Sequence, residues 1–143
     1  MNVTCEVTPH HFTLTDEDLA AANYNPNWKT NPPLRGGDDV EAVHQGLYDA
    51  TVDAIVSNHA PYHTDEKELD FSEAPFGIVG LETAVSLAID RLLHRRVIGL
   101  GQLVPPQVYL DLGRLFLDAG DVDNAAKTFR LARDLPDFDQ FQR

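Results

Sequence analysis

At 143 residues with 43% apolar content, the chain suits one domain or slightly more and can build a core, which excludes wholesale disorder. Its 23 acidic against 11 basic residues give a formal charge of −12. That balance argues against nucleic acid or an anionic membrane as partner, because both select a basic face.

A single cysteine, Cys5, excludes an intrachain disulfide framework; it lies in an alternating apolar run and reads as a buried, inert thiol. No apolar run approaches the roughly 18 residues of a membrane span. The N-terminus lacks the tripartite pattern of a signal peptide, so a cytoplasmic location is expected.

The β-branched run Asn2–Val7 predicts a strand, which delivers Thr8-Pro9-His10-His11 at its C-terminal end. Thr15-Asp16-Glu17-Asp18 is a capping box ahead of a short helix ending near Asn23, where Asn25-Pro26-Asn27 turns the chain. Trp28–Arg35 cannot be helical across Pro32-Pro33, and the proline after it drives Asn31 to an extended pose. Gly36-Gly37-Asp38-Asp39 restarts a helix, with Asp38 or Asp39 as cap. Its stripe is Val40, Val43 and Leu47 with His44, and Gly46 weakens it from within.

The stretch Val52–Gly80 organises the rest. Asp53–Ser57 reads as a short buried strand running into Asn58-His59-Ala60-Pro61-Tyr62-His63, a loop that gathers polar and imidazole groups. In α/β barrels the C-terminal strand ends carry the active site. An acidic segment, Asp65–Glu68, precedes the glycine-spaced loop Ala74–Gly80. A helix is predicted from about Leu81 to Arg95, burying Leu81, Ala84, Val85, Ala88 and Leu92. Arg91, His94, Arg95 and Arg96 crowd its last turn, where the helix dipole favours cations, so His94 reads as a terminal charge.

Val97–Leu103 reads as a connector, and Pro105-Pro106 sets a boundary between residues 1–104 and 105–143. Beyond it, Tyr109, Leu112, Gly113, Phe116, Gly120, Ala125, Phe129 and Ala132 have the spacing of a helical hairpin closed by Pro136. Asp121-Val122-Asp123 starts its second helix, and the tail from Phe138 is expected to fray.

Four stretches carry a family resemblance: Val7–His11, Asn31–Arg35, Asp53–Ile55 with Asn58–Pro61, and Ala74–Thr83. Together they resemble the C-terminal part of a bacterial dihydroorotase of the longer, class I type, a metal-dependent amidohydrolase. The resemblance implies a segment of a distorted (β/α)₈ barrel, zinc at the strand ends, and the interconversion of N-carbamoyl-L-aspartate and dihydroorotate in pyrimidine synthesis. It places His10 at a zinc ligand, with His11 as packing. Asn31, Tyr62 and His63 fall at or beside substrate-binding positions, and Pro75–Gly77 would line the substrate pocket. Residues 106–139 resemble a single tetratricopeptide repeat.

Asn58 stands where the family has a zinc-binding aspartate that acts as general base. A neutral amide cannot take that proton. The family's first half, with its His-x-His strand and upstream zinc ligands, has no counterpart here, whereas a complete barrel takes about 250 residues.

The expected fold class is therefore α/β, an incomplete and helix-rich barrel fragment with two strands, followed by an α-helical hairpin. The expected function is a dihydroorotase-like chain, inactive alone. The alternatives are a non-catalytic assembly protein and a truncated or chimeric product. Some dihydroorotase-like proteins without zinc ligands support aspartate carbamoyltransferase assembly, so that enzyme or a homo-oligomer is the expected protein partner.

Overall fold

The structure is a computed structural model that describes residues 3–104 and 106–134. It divides into two compact units, Met1–Val97 and Ile98–Arg143. Asn2, Pro136 and the tail from Phe138 lie outside the described residues, as do the side chains of Tyr109 and Ala132.

In the first unit, strand β1 (Glu6–Val7) pairs in parallel with β2 (Ala54–Ile55), Glu6 opposite Ala54 and Val7 opposite Ile55. The ladder extends through Asp53 N to Cys5 O at 2.8 Å and Val56 N to Val7 O at 2.9 Å. The longer predicted strands shrink to two residues each. Burial also departs from expectation: Ala54 is exposed, Ile55 half-buried and Cys5 exposed. The reason is the sheet itself. Parallel strands are buried by neighbours on both sides and helices on both faces, and among the described residues each strand has only the other.

Helix α1 (Asp16–Ala21) forms behind the predicted capping box, with Thr15 Oγ1 accepting from Asp18 N at 3.2 Å and Thr15 N donating to the Asp18 carboxylate at 2.8 Å. A 3₁₀ turn, Pro26–Trp28, follows. Helix α2 (Gly37–Tyr48) is capped two residues before the first expected acidic cap: Gly36 is its N-cap and no side chain bonds there. Asp38 and Asp39 sit instead in the first turn, where the dipole favours them without a capping bond. Leu47 is its buried residue, and His44 Nε2 donates to Phe12 O at 2.9 Å. Phe12 itself is 1% exposed and, with Leu34, Leu47 and Leu92, belongs to the core.

Helix α3 (Thr64–Lys67) holds the acidic segment. The single helix predicted over Leu81–Arg95 is corrected. It is a turn at residues 81–83, helix α4 (Ala84–Ala88) and a wider π-type turn, Ile89–Leu93. His94 N reaches Ile89 O at 2.9 Å and Val97 N reaches Leu92 O at 2.8 Å, each five residues back. One extra residue in a turn rotates the register by about 100°. Ala88 and Leu92 are buried, whereas Leu81 is 61% and Val85 69% exposed. The apolar stripe read from the sequence is thus not one face.

In the second unit the expected connector contains helix α5 (Leu100–Leu103), with Gly99 N donating to Gln102 Oε1 at 2.9 Å. Helices α6 (Pro106–Asp118) and α7 (Val122–Arg133) make the hairpin. Its turn is a Schellman closure: Gly120, at φ +78°, donates to Leu117 O at 2.9 Å and Asp121 N to Phe116 O at 2.8 Å. Asp121 then accepts from Asn124 N at 3.1 Å and caps α7, and the Asn124 bonds hold its carboxyl below the usual range. The predicted hairpin closes on small residues. Ala125 is fully buried, and the Phe129 ring rests on Gly113, where a Cβ would overlap the ring.

Candidate active site

Of the candidate residues, His10 lies on the loop after β1, and Asn58, Tyr62 and His63 on the loop after β2; Asn31, Pro75 and Gly77 come from two further segments. After β1, His10 is 5% exposed, and its Nε2 is buried with no hydrogen-bond partner among the described residues. Burial, and secondarily neighbouring His11, lowers its pKa to about 4. It is therefore neutral at pH 7, the form in which an imidazole donates a lone pair. His11, expected only to pack, is a brace. Its Nδ1 bonds Thr8 Oγ1 at 2.7 Å and its Nε2 donates to Pro32 O at 3.0 Å, tying the strand end to the Asn31–Pro32 segment. Asn31 is exposed and precedes a cis peptide bond.

After β2, Asn58 is exposed with a left-handed backbone at φ 45°, a conformation asparagine tolerates better than most residues. His59 Nδ1 accepts from both Gly80 N and Leu81 N at 3.2 Å, so its proton sits on Nε2. Ala60 N donates to Ile78 O at 3.0 Å beside it. Tyr62, 44% exposed, lies against Gly77. His63 caps α3: Asp65 N donates to its Nδ1 at 3.3 Å and its own N–H donates to Glu66 at 3.1 Å.

Pro75 and Gly77 are held through their backbones. Their carbonyls accept from Lys67 Nζ at 2.8 and 2.7 Å, and Gly77 N donates to Lys29 O at 2.8 Å. The structure thus joins the Asn58–His63 loop to Ala74–Leu81, and the His10 loop to Pro32. The Lys29–Gly77 bond connects the two halves. Sequence reasoning missed His59, Lys29 and Lys67. A lysine in an otherwise apolar or acidic segment was the available signal, since burial of an ammonium demands acceptors.

The titration of His10 gives a stability prediction. Unfolded, it takes a proton near 6.5; folded, only near 4. Between those values the unfolded state binds more protons, so acidification through that window lowers stability, by up to about 3 kcal/mol. Urea unfolding at pH 7.5 and 4.5 checks this. The pH-dependent loss should be smaller in His10→Gln by about that amount.

Neutral, buried and unpartnered, His10 Nε2 fits a metal ligand. The remainder of a zinc site does not follow. A catalytic zinc needs about three protein ligands, and no group of three or more His, Cys, Asp or Glu among the described residues could hold a metal.

Paired parallel strands with histidine loops at their C-terminal ends, followed by helices, define a segment of an amidohydrolase-type barrel. The structure of L-hydantoinase from Arthrobacter aurescens matches with a TM-score of 0.66 at 26% identity, covering 71% of this chain and 23% of that one. A D-hydantoinase structure matches with a TM-score of 0.63 at 22% identity, over 70% and 23% of the two chains.

In sequence the chain is a homologue of part of the dihydroorotases. It is 49% identical over 127 residues to the dihydroorotase of Trichlorobacter lovleyi, covering 85% of this chain and 29% of the relative. It is 53% identical over 102 residues to that of Elusimicrobium minutum, covering 71% and 23%. The chain therefore spans less than a third of the length of these relatives. The 85% share exceeds what residues 1–97 of 143 alone could supply, so the similarity runs on into the second unit. No protein-family model matches the chain.

Proposed function

We propose that this chain carries one side of a dihydroorotase-type site, for the reversible cyclisation of N-carbamoyl-L-aspartate to dihydroorotate, and does not turn over alone. The observation that carries the proposal is His10: a neutral imidazole at a strand's C-terminal end with its Nε2 buried and unpartnered. Such a group is satisfied by a metal or a substrate atom, and left empty it costs about 1–3 kcal/mol. Around it, the backbone of Pro75–Gly77 and the exposed Asn31 and Tyr62 are the substrate-facing candidates. His63 serves α3 as its cap and leaves Tyr62 as the side chain nearer the glycine loop.

Asn58 fixes the limit. Its amide can accept or donate a hydrogen bond, but it cannot remove the proton that ring closure or opening requires. Zinc belongs to this reading as the family's metal, with His10 as one ligand and the others supplied by a part of the barrel outside these residues.

The test is ring opening of dihydroorotate by the purified chain, followed by ultraviolet absorbance with and without added zinc, beside zinc analysis by mass spectrometry. The expected result is no turnover by the chain or by Asn58→Asp. Turnover by either that disappears in His10→Ala would overturn the incompetence of the isolated chain.

A second reading, an assembly role, has one observation in its favour. Val108, Leu112 and Leu115 recur at helical spacing on α6 and are 51%, 42% and 64% exposed. Native mass spectrometry decides it: a homo-oligomer or a complex with aspartate carbamoyltransferase is the expected species, and a monomer under both conditions rejects it.

A further inference from the structure

Two lysines, Lys29 buried and Lys67 half-buried, have no place in the chemistry above. Lys29 is 8% exposed; its Nζ donates to Ala74 O at 2.6 Å and Ser72 O at 3.1 Å. Lys67 Nζ donates to Gly77 O at 2.7 Å, Pro75 O at 2.8 Å and Pro26 O at 3.0 Å. Neither makes an ion pair with a carboxylate among the described residues. Aromatic rings lie beside both head groups: Phe76 lies 4.6 Å and Phe71 5.4 Å from Lys29 Nζ, and Tyr62 5.5 Å from Lys67 Nζ.

In a chain of net charge −12, acids are abundant, yet these two ammonium groups are given backbone oxygens instead. An ammonium has three donors and no acceptor, so Lys67 is saturated by its three carbonyls. Those carbonyls come from two segments, Pro26 ahead of the glycine loop in sequence and Pro75 and Gly77 within it. Four of the five carbonyls held by the pair belong to residues 72–77. Desolvation, and then the charge of Lys29, lowers the pKa of Lys67, as expected for cations enclosed together. Surface lysines placed for solubility do none of this.

We propose that Lys67, with Lys29, is a positioning residue that fixes the backbone of residues 72–77 as the rigid wall of the substrate site. The proposal rests on the dihydroorotase-type reading for what the wall contacts, but not for the wall itself. In a trans peptide the N–H points opposite to its carbonyl. Turning the Pro75 and Gly77 carbonyls onto Lys67 therefore turns the N–H groups of Phe76 and Ile78 away from it. Both ends of the loop are then oriented by one side chain. A carboxylate would not serve, because it has no donor for a carbonyl. Tyr62 is part of the same device, since it covers both Gly77 and the Lys67 head group.

The experiment is backbone hydrogen exchange on the full chain, comparing wild type, Lys67→Met and Lys67→Arg. Methionine keeps the length and apolar stem of lysine but donates nothing. Arginine restores donors. In Lys67→Met, amides within 74–80 should exchange about tenfold faster or more, with α2 and the α6–α7 hairpin unchanged. Lys67→Arg should recover most of the protection. If Lys67→Met leaves those amides unchanged while folded, or if arginine rescues nothing, the positioning role is wrong. Global loss of protection in Lys67→Met would also reject it, in favour of a plain core role. Dihydroorotate added to the wild type separates the two claims: slowed exchange at 74–80 supports the substrate wall. An unchanged rate with the lysine effect intact overturns the site reading and leaves the lysine clamp standing.

Discussion

Gly77→Ala is expected to destabilise the first unit by about 2–5 kcal/mol, combining backbone strain and overpacking. Gly77 has φ +157°, a backbone that L side chains rarely adopt, and a Cβ there would lie 2.6 Å from Ala60 O and 2.7 Å from the Tyr62 ring. The two contacts differ in kind. The Tyr62 side chain can swing aside, being 44% exposed. Ala60 O cannot, because Ala60 N is tied to Ile78 O at 3.0 Å and the loop is anchored at both ends. Relief therefore means separating the Asn58–His63 loop from the glycine loop.

Urea unfolding of Gly77→Ala, Tyr62→Ala and the double variant tests this. The double variant should be less destabilised than the sum of the singles, because the ring clash vanishes, yet still well below wild type. Exact additivity would mean that Tyr62 and Gly77 are not in contact.

Phe12→Ala is expected to cost about 3–5 kcal/mol, in the range for a fully buried aromatic. The ring is 1% exposed and sits two residues after His10, while the Phe12 carbonyl accepts from His44 Nε2 at 2.9 Å. The cavity thus opens next to the site. Because the His44 bond is to backbone, it survives the substitution, so α2 should stay attached. Phe12→Leu, which keeps most of the volume, should lose less than half as much in urea unfolding. Equal losses for alanine and leucine would show that shape rather than buried area is what the position requires.

The α1 capping box and the helical hairpin were legible in the sequence, because each depends on residues close along the chain; the parallel pairing of β1 with β2, 48 residues apart, came only with the barrel resemblance. Thr15 and Asp18 need only each other. Gly113 and Phe129 are on adjacent helices joined by a three-residue turn whose glycine dictates its own geometry.

What the sequence alone could not decide was burial, and the roles that follow from burial. Cys5 and the β2 residues read as interior because their pattern is that of a strand covered on both sides. The structure exposes them because covering comes from neighbours outside the strand. The apolar stripe that periodicity drew as continuous from Leu81 breaks at its start, because residues 81–83 form a turn and Val85 faces water, while Ala88 and Leu92 stay buried. Lys29 and Lys67 became structural cations only once segments 41, 43 and 45 residues away folded over them and turned their carbonyls inward. Residue chemistry sets what a group can do; whether water still surrounds it is fixed by the distant chain that packs against it.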